Sequence, residues 1–207
     1  MTATPSAEVE VALDLSELPV SAMGPRSLLW WGTFGFMLIE GMGFLLAAGA
    51  YLYLRGQAGE WPPAGHRPPA HWAGALFTLI ALASVAPNLW VARQARRKNA
   101  LGVRWGLVAM TLIALGLTVV RGFEFTQLNV RWHDDAYGSA LWLLMVLHTT
   151  HLLTDLGDTV VLATWLFTHE TGDDQFSDVD DNAGYWNFVV VAWLPMYLLV
   201  YWGARLL

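Results

Sequence analysis

The sequence predicts an all-α fold: a polytopic membrane bundle of about five transmembrane helices. Three observations predict it. The 207 residues are 56% hydrophobic and 14% charged, where soluble domains carry about 25% charged residues. Apolar stretches of the length a helix needs to cross hydrocarbon, roughly 20 residues, recur about five times. Twelve tryptophans suit a protein with two membrane interfaces, where indole rings collect. The mean hydropathy of +0.43 agrees.

The chain opens with residues 1–27, which carry Glu8, Glu10, Asp14 and Glu17. They have no basic segment leading into an apolar core, so they read as a flexible acidic tail and not a signal peptide. Residues 28–207 form the five-helix domain. The first span runs from Leu28 to Leu54 and the second from Trp72 to Val91. Pro62, Pro63, Pro68 and Pro69 between them stop any helix. The third span runs from Val103 to about Phe123, the fourth from Tyr137 to Phe167, and the fifth from Tyr185 to Ala204. Pro87 and Pro195 fall inside the second and fifth spans and can kink them, because each removes a backbone donor. Tyr185, Trp186, Trp193, Tyr201 and Trp202 place aromatic residues at both ends of the last span, which reads as an interfacial belt.

Orientation follows from the loop after the second span, which carries Arg93, Arg96, Arg97, Lys98 and Arg104. By the positive-inside rule this loop is cytoplasmic. Alternation then puts the N-terminus in the cytoplasm and the C-terminus outside. The acidic 170–181 loop (Glu170, Asp173, Asp174, Asp178, Asp180, Asp181) also falls inside. The net charge of −6 argues against a nucleic-acid partner. The absence of cysteine excludes disulfides and thiolate metal sites. The sequence contains no phosphate-binding loop, dinucleotide-binding glycine motif or nucleophile elbow.

Polar residues inside the spans carry the functional signal, since ionisable groups at bilayer depth are costly and face a protein interior or a wet cavity. His148, His151, Asp155 and Asp158 lie at i, i+3, i+7 and i+10 of the fourth span, which is one helix face. The two histidines bond to Glu40 or to other helices, or else ligate a metal. A membrane di-metal site needs more than one such cluster, so no metal site is assigned. Asp155 and Asp158 read first as the cytoplasmic end of a long, tilted helix, and second as part of a polar seam. Glu40, mid-way along the first span, is either a proton-active carboxyl or a packing carboxyl bonded to a neighbouring helix. Arg121 and Glu124, at i and i+3, form an outer-end polar cluster, paired with each other or with Arg131, Asp134 and Asp135 of the next loop. No catalytic residue is assigned.

Read in order, the motifs resemble subunit III of the haem–copper cytochrome c oxidases. Trp31-Gly32 with Phe36 and Glu40, ending in Tyr51-x-Tyr53-Leu54-Arg55, resembles the helix that carries that family's buried carboxyl. Glu60-Trp61-Pro62-Pro63-Ala64-Gly65 resembles its Trp-Pro-Pro-x-Gly loop. Glu124-Phe125 resembles its Glu-Tyr, and Asp135-x-Tyr137-Gly138-Ser139 followed by His148-x-x-His151 resembles two further signatures. Tyr185-Trp186-x-Phe188-Val189 with Trp193 and Tyr201-Trp202 resembles its last helix. The resemblance covers about Trp31 to Trp202 and points to a divergent five-helix form.

The resemblance implies a non-catalytic subunit of a terminal oxidase in aerobic respiratory electron transport, multi-pass in a bacterial inner (plasma) membrane. It would pack beside subunit I and other subunits of the complex, bind phospholipid, and support stability and proton uptake. It would hold no cofactor of its own, with haem and copper in the partner subunits. The sequence also departs from the family. Gln is usual where Arg121 stands, Thr-Gly where Met145-Val146 stands, Gly where Thr149 and Asp155 stand, and His and Asp where Asn187 and Val190 stand. Two alternatives therefore stay open: an accessory subunit of a nitric oxide reductase-like complex, and a stand-alone metalloenzyme using Glu40, Glu124, His148 and His151.

Overall fold

The computed structural model describes residues 28–206. The acidic tail assigned to residues 1–27 lies outside them. Five long helices make up the fold: α1 (Leu28–Gln57), α2 (His71–Arg96), α3 (Ala100–Thr126), α4 (Ala136–Thr168) and α5 (Asp173–Tyr197). The chain continues from α5 through a π-helical turn, Leu198–Trp202, into a last helical turn, Gly203–Leu206. The described residues contain no strand. Four of these helices, the last counted through to Leu206, are long and apolar enough to cross a membrane. α4 has the length, at 33 residues, and is the helix that carries the His–Asp face. Even the 26 residues of α2 span about 39 Å at 1.5 Å per residue, against a hydrocarbon core of about 30 Å.

α2 packs against both α3 and α5, α4 packs against α3 and α5, and α1 lies at the edge against α4 and α5. Leu38, Ile39, Met42, Leu45 and Leu46 on α1 are exposed, as residues turned to a bilayer are. Small residues allow close approach at two points. A Cβ at Gly74 would sit 2.3 Å from the Tyr201 ring, and one at Gly106 would sit 2.5 Å from Val91.

Side-chain hydrogen bonds lock α2 to α5. Trp193 Nε1 donates to Thr78 Oγ1 (2.8 Å) and Trp186 Nε1 donates to Ser84 Oγ (2.9 Å). Asn88 Nδ2 donates to the Ala183 carbonyl (2.8 Å) and to Asn187 Oδ1 (3.1 Å). These contacts correct the aromatic-belt reading of the last span. Tyr185, Trp186, Trp193 and Tyr201 are all buried, because each ring has a polar atom that a neighbouring helix satisfies. Only Trp202 remains well exposed.

The acidic segment 170–181 is also corrected. From Asp173 onward it is helical and forms the start of α5. Acids suit a helix N-terminus, where the backbone dipole favours negative charge, and Gln175 Oε1 accepts from the Gly172 N–H (2.8 Å) to close the first turn. This end of α5 reaches the α2–α3 connection through two ion pairs, Arg96–Asp180 (2.9 Å) and Lys98–Asp173 (2.8 Å). The basic and acidic segments therefore share one end of the bundle. At that end Asn99 caps α3 through Gly102.

Candidate functional site: two polar clusters on one helix face

α4 presents His148, His151 and Asp155 to the interior, all buried. They do not make one site. Phe44 of α1 stands between the two imidazoles, its ring centroid 4.5 Å from that of His151 and 6.3 Å from that of His148.

The first cluster joins α1, α4 and α5. His151 Nε2 lies 3.2 Å from Glu40 Oε1, and Tyr185 Oη donates to Glu40 Oε2 at 2.8 Å. His151 Nδ1 lies 2.6 Å from the Leu147 carbonyl. A carbonyl only accepts, so Nδ1 carries a proton. His151 Nε2 and Glu40 Oε1 then face each other as an acid–base pair.

The second cluster joins α2, α3, α4, α5 and the π turn. Arg121 is buried with its guanidinium over the Phe77 ring (3.7 Å) and the Trp193 ring (4.0 Å). Its Nη1 is 2.7 Å from Glu124 Oε2, both side chains being almost wholly buried, and it donates to Met145 Sδ at 3.3 Å. Its Nη2 is 3.0 Å from His148 Nδ1. Arginine only donates, so Nδ1 is the bare nitrogen, and Nε2 donates to the Val189 carbonyl (3.1 Å). His148 is thus the neutral tautomer with its proton on Nε2. Tyr201 Oη donates to Glu124 Oε1 at 2.5 Å. The π turn has a local reason to be here. Pro195 weakens the helix by a missing N–H, and the extra residue of a π turn re-aims the side chains that follow, placing Tyr201 against Glu124.

The predicted outer-end cluster divides. Arg121 and Glu124 pair with each other inside the bundle, whereas Asp135 lies at the opposite end from the basic loop. Asp135 Oδ1 caps α4 through the Gly138 N–H (2.7 Å), and its Oδ2 pairs with His66 Nδ1 (3.0 Å). The end-of-helix reading of Asp155 does not hold either. Asp155 is 1% exposed and lies well inside α4, in a polar seam. The Thr159 hydroxyl is its neighbouring donor, and neither of its carboxyl oxygens makes a well-formed hydrogen bond. Thr159, one turn on, is engaged with Asn182, and Asn182 Nδ2 donates to Asp158 Oδ2 at 3.0 Å. A cleft of about 630 Å³ between α1, α4 and α5 reaches this seam, lined in part by Asp155, Asp158, Asn182 and Tyr185.

The sequence reading did not identify Tyr185 and Tyr201 as carboxyl partners, nor Phe77 and Trp193 as the sandwich around Arg121. The usable signal was hydroxyl-bearing aromatics at span depth, since a buried phenol needs an acceptor. The four residues considered as metal ligands are split between the two clusters, and Arg121 adds a positive charge to one of them. Among the described residues no group of three or more His, Asp or Glu could hold a metal ion.

Comparison with known proteins agrees with this architecture. The family described as cytochrome c oxidase subunit III matches residues 36–205. This chain belongs to that family. Among curated relatives, cytochrome c oxidase subunit 3 of Rhizopus stolonifer is 30% identical over 146 residues, covering 69% of this chain and 51% of the relative. The protein of the same name from Struthio camelus is 30% identical over 154 residues (69% and 55%). That from Rhipicephalus sanguineus is 26% identical over 146 residues (69% and 56%). The chain spans about half the length of the curated relatives it matches. As a member of that family, with helices long and apolar enough to cross a membrane, it is a multi-span membrane protein.

Proposed function

We propose that this chain is a non-catalytic subunit III of a haem–copper terminal oxidase, packed beside the catalytic subunit I in an energy-transducing inner (plasma) membrane. In this reading haem and copper reside in the partner subunits. The chain contributes stability, bound phospholipid and support for proton uptake. The observation that carries the proposal is the family match along residues 36–205, joined to an interior whose chemistry is proton-bearing. Glu40 pairs with His151 and accepts from Tyr185, and Arg121, Glu124, His148 and Tyr201 form a second polar group. The exposed apolar faces, above all that of α1, supply surface for lipid chains and for neighbouring subunits.

The test is purification of the tagged chain in mild detergent, with the absorption spectrum and subunit composition of the preparation. A haem-bearing partner that consumes oxygen is the expected result. A haem partner that reduces nitric oxide instead would move the chain to the accessory-subunit alternative. A lone polypeptide with stoichiometric metal and no haem would overturn both.

A further inference from the structure

Asp155 is the buried group that the subunit reading leaves unused. It is 1% exposed, and with the Thr159 hydroxyl as its neighbouring donor neither carboxyl oxygen makes a well-formed hydrogen bond. It also lies on the wall of the cleft between α1, α4 and α5. A buried polar group without a hydrogen bond is costly, so its persistence calls for an occupant or a role. The cleft itself is amphipathic. Phe36, Val161, Leu162 and Trp165 line its apolar side, while Asp158, Asp178 and Asp181 bring further carboxyls toward Asp155. Asp178 and Asp181 belong to the helical start of α5, at the end of the bundle that carries the basic loop, so the cleft runs from that end toward the middle of the fold.

The cleft reaches the Glu40–His151 pair through Tyr185. Tyr185 is a wall residue of the cleft and also donates to Glu40 Oε2 at 2.8 Å. His151 is one helical turn from Asp155, on the same face. Glu40 Oε1 and His151 Nε2 lie 3.2 Å apart, close enough to pass a proton between them. Beyond it the path stops. Phe44 covers His151 on the side of His148, and both ring nitrogens of His148 are engaged, by Arg121 and by the Val189 carbonyl.

We propose that the α1–α4–α5 cleft is a proton-binding inlet, closed at its inner end. Asp155 relays protons between water in the cleft and the Glu40–His151 pair. The titratable groups facing the relay are Glu40 from α1, His151 and Asp158 from α4, and Tyr185, Asp178 and Asp181 from α5. In the exchange, Asp155 takes a proton on one oxygen from cleft water and delivers one to the pair from the other. The pair returns its own proton by the reverse path, so no net charge moves. The inlet depends on the residues of this chain alone and holds whichever haem partner the chain has.

The test uses the full-length chain, with whatever subunits co-purify, in lipid nanodiscs with isotope-labelled histidine rings. Magnetic resonance then reads the rate at which the proton between His151 and Glu40 exchanges with water, with His151 assigned through a His151→Gln variant. Asp155→Leu should slow that exchange by about tenfold or more, the factor that each added 1.36 kcal/mol of barrier gives, and Asp155→Glu should restore it. Gly32→Phe provides a second block that leaves Asp155 in place. Gly32 lines the cleft, and a Cβ there meets nothing within 4 Å. It should slow exchange in the same direction. Unchanged exchange in Asp155→Leu and in Gly32→Phe, with the His151 signals in their native positions, would overturn the inlet. If Asp155→Leu does not assemble, the Gly32→Phe result decides by itself.

Discussion

Removing the charge at Arg121 tests whether the buried cluster is held together by charge or by packing. The guanidinium is 2.7 Å from Glu124 and 3.0 Å from His148, and it lies between two rings at 3.7 and 4.0 Å. Arg121→Met keeps length and apolar stacking but leaves the Glu124 carboxylate with Tyr201 as its one strong donor. Stranding one member of a buried ion pair costs about 3–5 kcal/mol, whereas replacing both members by neutral groups of similar volume is often close to neutral. Glu124→Gln, which can still accept from Tyr201, strands the guanidinium in turn. Each single substitution should therefore lower the unfolding free energy by about 3 kcal/mol or more, and the double substitution should cost no more than the worse single. The coupling is measured by unfolding all four proteins in mixed micelles of rising sodium dodecyl sulfate, followed by circular dichroism and by tryptophan fluorescence. Trp193, on the face of Arg121, should report locally. Additivity of the two singles to within about 0.5 kcal/mol would refute the reasoning and make Arg121 a packing residue.

Four further outcomes can be checked with the same unfolding assay. Thr78→Val combined with Trp193→Phe in a double-mutant cycle should show a coupling of about 0.6 kcal/mol and at most about 1.7, the range for interhelical hydrogen bonds in membranes. Gly74→Ala should destabilise by about 1–3 kcal/mol through overpacking, because its Cβ would meet the Tyr201 ring at 2.3 Å. By contrast Gly116→Ala, with nothing within 4 Å, should be neutral or stabilising by up to about 1 kcal/mol. Breaking the Lys98–Asp173 pair with Asp173→Asn should change stability by less than about 1 kcal/mol, since both side chains are more than half exposed.

By itself the sequence determined the class of fold, the number and order of the spans, and which residues are polar at bilayer depth. These properties are local. Apolar run length sets a span, proline clusters end one, and 3.6-residue periodicity puts His148, His151 and Asp155 on one face whatever surrounds it. The helix ends came out one to five residues longer for α2 and α3 than the apolar runs suggested, because polar residues such as Arg96 and Thr126 extend a helix beyond the hydrocarbon. The largest boundary shift was at α5, where acidic residues that read as loop instead start a helix.

Partnership was decided only by the tertiary structure. Glu40 could have met either histidine, and Arg121 could have turned to the loop. The rotation of each helix about its axis and the register between neighbours chose Glu40–His151 and Arg121–His148. Phe44 from an edge helix then divided a single α4 face into two clusters. The aromatic residues of the last span show the same limit. Composition cannot tell a tryptophan at the lipid interface from one whose N–H bonds a serine or threonine on the next helix, because both sit in equally apolar sequence. The helix packed against each ring distinguishes them, by supplying or withholding an acceptor.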